Sequence, residues 1–435
     1  MKTGENYCGG ENFDLHKILV KGKNLNLKEK TDLFNLFLRD LIDNNEMLCM
    51  RCITSAADRE VEVLDSYDGK VKRMIMFGSN NYLGFANNPY VKEKAREAIE
   101  KFGAGIGGPP LLNGYTSLHK ELEQRLAALK GTEDALIFSS GYGANVGLVS
   151  GLMNENSSVL FDAYSHASFC DGIKMSGVQS FRFPHNDIII LEQRLKNLRS
   201  WNNNDIYIGV EGVYSMDGDL APLDKLVELC KKYNAYLIVD DAHGTGVMGK
   251  NGRGSCEHFN VDGKADLVMG TFSKTFAVTG GFVASSKSII NYLRYFARSY
   301  MFSASLPPVV AATVLAGLDL LEIEPGILQS LKNNIKYAAE KLSALGFAAN
   351  ADTAIFPLIV PEGMNVRKAA HEFHKRGIFV NSIEYPAVPL SQQRFRVSVM
   401  ATHTKEDIDK LVTVVEEVWN EHKKSYKTGI KLNAA

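Results

Sequence analysis

Asp266-Leu-Val-Met-Gly-Thr-Phe-Ser-Lys274-Thr-Phe-Ala-Val-Thr-Gly-Gly281 holds the decisive pattern of this chain: an apolar strand stops in a turn of small residues, and a lysine stands just past its end. A lysine does amine chemistry, Schiff-base formation included, where its proton is easily lost. The hydroxyls of Thr271 and Ser273 beside it suit a phosphate. Taken alone, the stretch reads more simply as a solvated loop lysine. It is not alone, because Tyr236-Leu-Ile-Val-Asp240-Asp-Ala-His243-Gly-Thr-Gly puts acids and a histidine at another strand end. A pyridine ring used as an electron sink must carry a proton on nitrogen, and a buried carboxylate beside it favours that cation. Asp240 suits this role, and His243 reaches the phenolic oxygen of such a ring. The alternative is a metal site or a structural cap, and no further ligand cluster with metal spacing supports it.

Working outward, short apolar runs alternate with helical stretches from about Val71 to Leu321. Ala135–Phe138, Val159–Phe161, Ile206–Val210, Tyr236–Val239, Leu267–Gly270 and Phe282–Ala284 read as strands, with helices such as Ser117–Leu129 and Leu223–Asn234 between them. Most of the runs lack polar alternation, as strands buried on both faces of a mainly parallel sheet do. This is an open α/β domain, whose ligands gather at the carboxyl ends of the strands. A helical link over Glu324–Leu345 leads into a smaller α+β region with strands at Ile355–Val360, Ile378–Asn381 and Arg394–Val399. The expected division is a helical N-terminal extension over 1–70, a large domain over 71–325 and a small C-terminal domain over 326–435.

Three more motifs join the lysine. In Phe138-Ser-Ser-Gly141-Tyr142-Gly-Ala-Asn145 a strand runs into a glycine-rich helix start, whose backbone N–H groups suit a phosphate. This signal is weak by itself. Asp162-Ala-Tyr-Ser-His166-Ala-Ser offers a histidine that can stack on a planar group, or simply pack in a loop. Glu211-Gly-Val-Tyr-Ser215-Met-Asp-Gly-Asp adds hydroxyl and carboxylate partners at another strand end.

Together with Gly78-Ser-Asn80-Asn-Tyr-Leu-Gly, this ordered set resembles the α-oxoamine synthases, pyridoxal-phosphate enzymes of the aspartate-aminotransferase fold, over roughly residues 70 to 420. The resemblance implies a large domain on a mainly parallel seven-stranded sheet and a smaller α+β domain. It also implies that Lys274 carries pyridoxal 5'-phosphate as a Schiff base, that Asp240 pairs with the pyridinium and that His243 touches the phenolic oxygen. By the same token His166 stacks on the ring, Ser215 lies near it, and the Gly141 and Tyr142 backbone amides with Thr271 hold the phosphate. Ser303 and Ser305, in Met-Phe-Ser-Ala-Ser-Leu-Pro-Pro, match a segment that completes the site of a second subunit, so a homodimer with shared active sites is implied.

The implied reaction is a decarboxylative condensation of an amino acid with an acyl-CoA or acyl-carrier-protein thioester to a 2-amino ketone. Period-2 geometry puts Arg394, Arg396 and Ser398 on one face of a strand, and a cleft-side arginine clamps a carboxylate with two parallel hydrogen bonds. By resemblance Arg396 and Asn80 bind the substrate, while Arg394 reads as a solvated edge charge. Several runs look most like the serine palmitoyltransferase branch, which points to serine, or an analogue such as cysteate, and a sphingoid-type product. The alternatives are an 8-amino-7-oxononanoate synthase, a glycine C-acetyltransferase, or an aminotransferase or lyase using the same cofactor. Gly105-Ile-Gly-Gly-Pro109-Pro110-Leu-Leu-Asn-Gly departs from the family's Gly/Ser-rich loop: two prolines stiffen it and a positive charge is missing.

Composition sets the outer bounds. With 435 residues, 45% hydrophobic and 23% charged, the chain is neither disordered nor fibrous. Lys and Arg number 49 against 50 acidic residues, which gives no bulk attraction to nucleic acid or to an anionic bilayer. Six cysteines in such a length make no disulfide framework, and a cytoplasmic setting is expected. Cys49 and Cys52 form a C-x-x-C with no answering pair, and they read as plain thiols rather than a metal site. No signal-peptide pattern opens the chain, and the longest apolar run, Val309–Leu318, is shorter than the roughly 17–25 residues of a membrane span. Asn12 to about Asp58 reads as helical with an apolar stripe of Leu33, Phe34, Phe37, Leu38 and Leu41; packing on the protein is its simplest use, with peripheral membrane contact left open.

Overall fold

The computed structural model describes residues 15–201 and 203–433, with backbone alone for 425–433. Seven strands form the large sheet: β1 (Asp134–Phe138), β2 (Ser158–Asp162), β3 (Gln179–Phe183), β4 (Ile206–Glu211), β5 (Tyr236–Asp240), β6 (Leu267–Thr271) and β7 (Gly281–Ser285). Their order is β1-β7-β6-β5-β4-β2-β3, and only the pairings of β7 are antiparallel. Every residue of β4, β6 and β7 is buried, which is why these runs read as apolar without alternation. β3 was absent from the expected strands. It lies at the sheet edge, where Gln179, Ser180 and Arg182 face solvent, so its run is too polar to stand out.

The parallel strands β2, β4, β5 and β6 end in Asp162, Glu211, Asp240 and Thr271. Shared direction and neighbouring register therefore bring three carboxylates and a hydroxyl to one edge of the sheet. The tightest feature is the turn into the helix Gly141–Leu152: a Cβ on Gly141 would lie 2.6 Å from Thr271 Oγ1, so only glycine lets the helix start this close to β6.

The segment expected to be helical from Asn12 to Asp58 is helical only over Leu15–Gly22 and Leu27–Asp43, and Asn12 itself lies outside the described residues. The second helix opens with a reciprocal cap between Asn26 and Glu29 and buries Leu33, Phe37 and Leu41. Phe34, at 39% exposure, does not join them. Beyond the helices the chain is extended. Glu60–Leu64 pairs with Val71–Met76 across the expected boundary at 70, and Val71–Met76 pairs in parallel with Ile378–Phe379 near the far end of the chain. A separate three-stranded sheet sets Arg394–Ser398 between Ile355–Ile359 and Asn381–Ile383. One apolar core runs without a break from Phe276 and Phe282 through Leu315 and Leu331 to Phe373, Phe395 and Val415, so the small region is seated on the large one. No helix among the described residues is long and apolar enough to cross a membrane.

Candidate active site

A cavity of about 320 Å³ opens at the carboxyl ends of the strands, within the usual size of small-molecule sites. Gly141, Tyr142, His166, Asp240, His243, Thr271, Ser273 and Lys274 of the expected site line it, together with Asn145, Ser168 and Glu211.

Lys274 follows β6 and lines the cavity half-buried. Burial pushes its amine down to about 8, while the Asp240 and Glu211 carboxylates work in the other direction. Glu211 itself is pushed well up, by burial first and then by the charge of Asp240. Asp240 accepts the Asn145 amide at 2.7 Å and the Ala242 N–H at 3.1 Å, and Asn145 also donates to Ser168 Oγ at 2.9 Å. Asn145 Oδ1 is buried without a protein partner.

His166 caps the helix Ala167–Ser176: its Nδ1 accepts the Ser168 N–H at 3.2 Å, which puts any ring proton of the neutral form on Nε2. Burial lowers its pKa, with Lys274 adding to the effect and Asp240 opposing it. His243 is held well below its ordinary value by burial and by the positive charges of Lys274 and Arg396. Its Nδ1 lies 2.7 Å from the Tyr82 hydroxyl, which lies 3.3 Å from Asn80 Oδ1. Arg396 Nη2 donates to the same Asn80 oxygen at 3.0 Å, and Arg396 Nε donates to the Ser215 carbonyl at 2.6 Å. Asn80, Ser215 and Arg396 thus form a second group, joined to the cavity through Tyr82 and His243.

The anion-holding end is built by local rules. Ser140 caps the helix Gly141–Leu152 by accepting the Gly143 N–H at 2.9 Å, while helix geometry leaves the preceding N–H groups without intrahelical acceptors. Thr271 Oγ1 and Ser273 Oγ stand 2.9 Å apart beside them. Backbone donors and two hydroxyls at one end, an acid–amide pair and a cavity-lining lysine at the other, fit a flat phosphorylated pyridine aldehyde. The partnerless Asn145 oxygen marks room for a further polar contact.

Ser303 does not line this cavity in its own chain. Its Oγ lies 3.0 Å from Ser139 Oγ, and it borders a second cavity of about 550 Å³ with Gly107, Pro109, Leu112 and Phe302. Ser305 donates its N–H to the Gly108 carbonyl at 3.0 Å, which ties the Gly-Pro-Pro loop to the 303–305 segment. Arg394 corrects its expected role. Far from being a solvated edge charge, it is 2% exposed and donates to Asp217 Oδ1 at 2.6 Å and to the Met216 carbonyl at 3.0 Å. Central placement in a three-stranded sheet, which sequence spacing does not reveal, buries it.

The sequence also gave no warning of Lys130. Its ammonium donates to Asp241 Oδ2 at 2.7 Å, Thr245 Oγ1 at 2.8 Å and the Arg253 carbonyl at 2.6 Å, behind the loop that carries His243. Both side chains are almost wholly buried, at 3% and 1% exposure. Lys130→Met is expected to cost about 3–5 kcal/mol in urea unfolding, because it strands the charge of Asp241 in the interior. A loss below about 1 kcal/mol would show that the carboxylate finds another partner.

Comparison with known proteins gives a consistent picture. The aminotransferase class I and II family model matches residues 72–415. A serine palmitoyltransferase of Bacteriovorax stolpii is 41% identical over 378 residues, 87% of this chain and 88% of that one. An 8-amino-7-oxononanoate synthase of Thermosipho melanesiensis is 40% identical over 348 residues, 80% of this chain and 88% of that one. Among solved structures, a serine palmitoyltransferase variant from S. paucimobilis with a bound PLP–myriocin aldimine superposes with a TM-score of 0.85 at 33% identity, covering 91% of this chain and 99% of that one.

Proposed function

Because the chain belongs to the aminotransferase class I and II family, among its pyridoxal-phosphate-dependent α-oxoamine synthases, we propose that it condenses serine, or a close analogue such as cysteate, with a long-chain acyl thioester. Carbon dioxide and the free thiol leave, and the product is a 2-amino ketone of the sphingoid-base type. The observation that carries the reading is the cavity-lining Lys274, with Asp240 and Glu211 acting on it in a cavity that ends in the Ser140-capped helix start.

Pyridoxal phosphate, when bound, supplies a cationic ring that draws off the electron pair left at the substrate's α-carbon. Lys274 would anchor it, and its amine, when free, would take the substrate's α-proton. Asp240, aimed by Asn145, holds a proton at the pyridine nitrogen. Gly141 and Tyr142 N–H groups with the Thr271 and Ser273 hydroxyls hold the phosphate. His243, with Ser215 nearby, would hold the phenolic oxygen, and His166 would pack against the ring. Arg396 and Asn80 orient the amino-acid carboxylate. Ser303 serves the cavity of a second subunit, which accounts for its place outside its own and makes the assembly a homodimer. A cytoplasmic location agrees with five free cysteines among the described residues.

With its amine pushed down to about 8, roughly a tenth of Lys274 is neutral at pH 7, against a few parts in ten thousand for an ordinary lysine. Attachment of pyridoxal phosphate to the apoprotein, trapped with borohydride, is therefore expected to speed up with pH to about 8 and then level off. A continued rise to pH 10 would mean an ordinary amine.

The substrate test is a titration of the holoenzyme with glycine, alanine, serine and cysteate, read by the visible absorbance of the cofactor. Carbon dioxide and thiol are measured after an acyl thioester is added. Serine or cysteate should shift the band and release both products. A response to alanine alone favours the second reading, an 8-amino-7-oxononanoate synthase, to which the similarity is nearly as high. Absence of both released products would move the enzyme to the aminotransferases or lyases.

A further inference from the structure

Behind the cavity, among none of the residues that line it, His185 joins two loops that carry site residues. Its Nδ1 lies 2.9 Å from Asp162 Oδ1 and its Nε2 lies 2.7 Å from Asp219 Oδ2. An imidazole with a carboxylate on each nitrogen donates from both, so this ring is an imidazolium. Tyr164 stacks on it with centroids 4.2 Å apart, and Tyr214 meets it edge-on at 4.5 Å. Burial works against the charge, yet the hydrogen bonds and charges of Asp162 and Asp219 outweigh it and push the group up to about 9. These two are the charged groups that act on it, and Asn186 closes the remaining side by donating to both carboxylates.

Each carboxylate anchors one loop. Asp162 is fully buried at the end of β2, accepts the Tyr164 N–H at 2.8 Å and so shapes the turn that delivers His166. Asp219 closes the hairpin 212–219 through its carbonyl, which accepts the Tyr214 N–H at 3.0 Å. The other side of that hairpin is held from the small region: Arg396 on the Ser215 carbonyl, Arg394 on Met216 and Asp217, and Thr353 Oγ1 on the Gly218 carbonyl at 2.6 Å.

We propose that His185 is a positioning residue whose doubly hydrogen-bonded imidazolium ties the His166 loop to the 212–219 hairpin, and so sets where Arg396 holds an amino-acid carboxylate. The second half rests on the substrate reading above; the first half does not. Without the tie the hairpin keeps its small-region contacts, the Gly212 N–H on the Asp240 carbonyl and the Asn186 amide on Asp219, but loses its charged link to the His166 loop, and Arg396 shifts with it. Amino-acid binding is therefore expected to suffer far more than binding of the acyl thioester.

The test compares wild-type holoenzyme with His185→Gln and Asp219→Asn. Histidine labelled at Cε1 reports the ring titration, absorbance reports L-serine affinity, and steady-state kinetics with palmitoyl-CoA report the two KM values. The ring is expected to titrate near 9 in wild type and at least about one unit lower in Asp219→Asn. Serine affinity should fall about tenfold or more in both variants, with the thioester KM within about twofold. In wild type, serine affinity should fall as pH rises through the ring's midpoint. If His185→Gln does not fold, Asp219→Asn decides alone, since its side chain is 39% exposed and its loss strands no buried charge. An Asp219→Asn enzyme with an unmoved ring midpoint, or with wild-type serine affinity, overturns the proposal. A wild-type enzyme that binds neither serine, alanine nor cysteate sinks the substrate reading instead, and the ring midpoint still decides the tie.

Discussion

Lys274→Ala is expected to lower turnover by at least about 10³-fold, because one substitution removes both the covalent anchor and the base that takes the α-proton. The phosphate end of the cavity does not depend on the lysine: Ser140 shapes the helix start, and Thr271 and Ser273 hold each other beside it. The variant should therefore still bind pyridoxal phosphate, now released by dialysis or by denaturation without borohydride. Its absorbance should be that of the free aldehyde rather than of the attached form. Turnover within tenfold of wild type would mean that another group moves the proton, and the assignment of Lys274 would fail.

Arg396→Ala is the second large effect. Arg396 is 6% exposed, and two of its guanidinium nitrogens are spent on Ser215 and Asn80. A carboxylate arriving at its remaining donors meets a charge that is already oriented and dehydrated. Losing such a pair costs about 2–5 kcal/mol, or roughly 30- to 5,000-fold in the amino-acid KM. The thioester KM should stay within a few-fold. Arg396→Lys should fall between the two, since it keeps the charge but not the planar fork. Some of the loss in Arg396→Ala comes from freeing the hairpin at Ser215, and urea unfolding of the same variants separates that part. Equal rises in both KM values would show that the arginine orders the site as a whole instead of holding one substrate.

Most of the cavity could be read in advance because its parts are local. A strand–glycine–helix turn, a histidine after a strand and a lysine past a strand end are each set by a few consecutive residues. Parallel pairing then brings equivalent ends together without any further information. Asn145 and Tyr82 stood inside motifs already quoted, but their partners, Asp240 and His243, lie far along the chain, and nothing in either motif names them. β3 escaped because an edge strand needs apolar residues on one face only. Arg394 was misjudged for the opposite reason: alternation says which residues share a face, and says nothing of whether another layer covers that face.

Period and composition thus dictated an α/β sheet with its chemistry at one edge, and motif order singled out the lysine, the aspartate and the two histidines. Folding in three dimensions added links between separate motifs: Val71–Met76 beside Ile378–Phe379, Lys130 under Asp241, and His185 between Asp162 and Asp219. These could not be read locally because a charge is tolerated in the interior only when its counter-charge arrives there too. Where that partner comes from is decided by how the layers pack, and no window of neighbouring residues contains it.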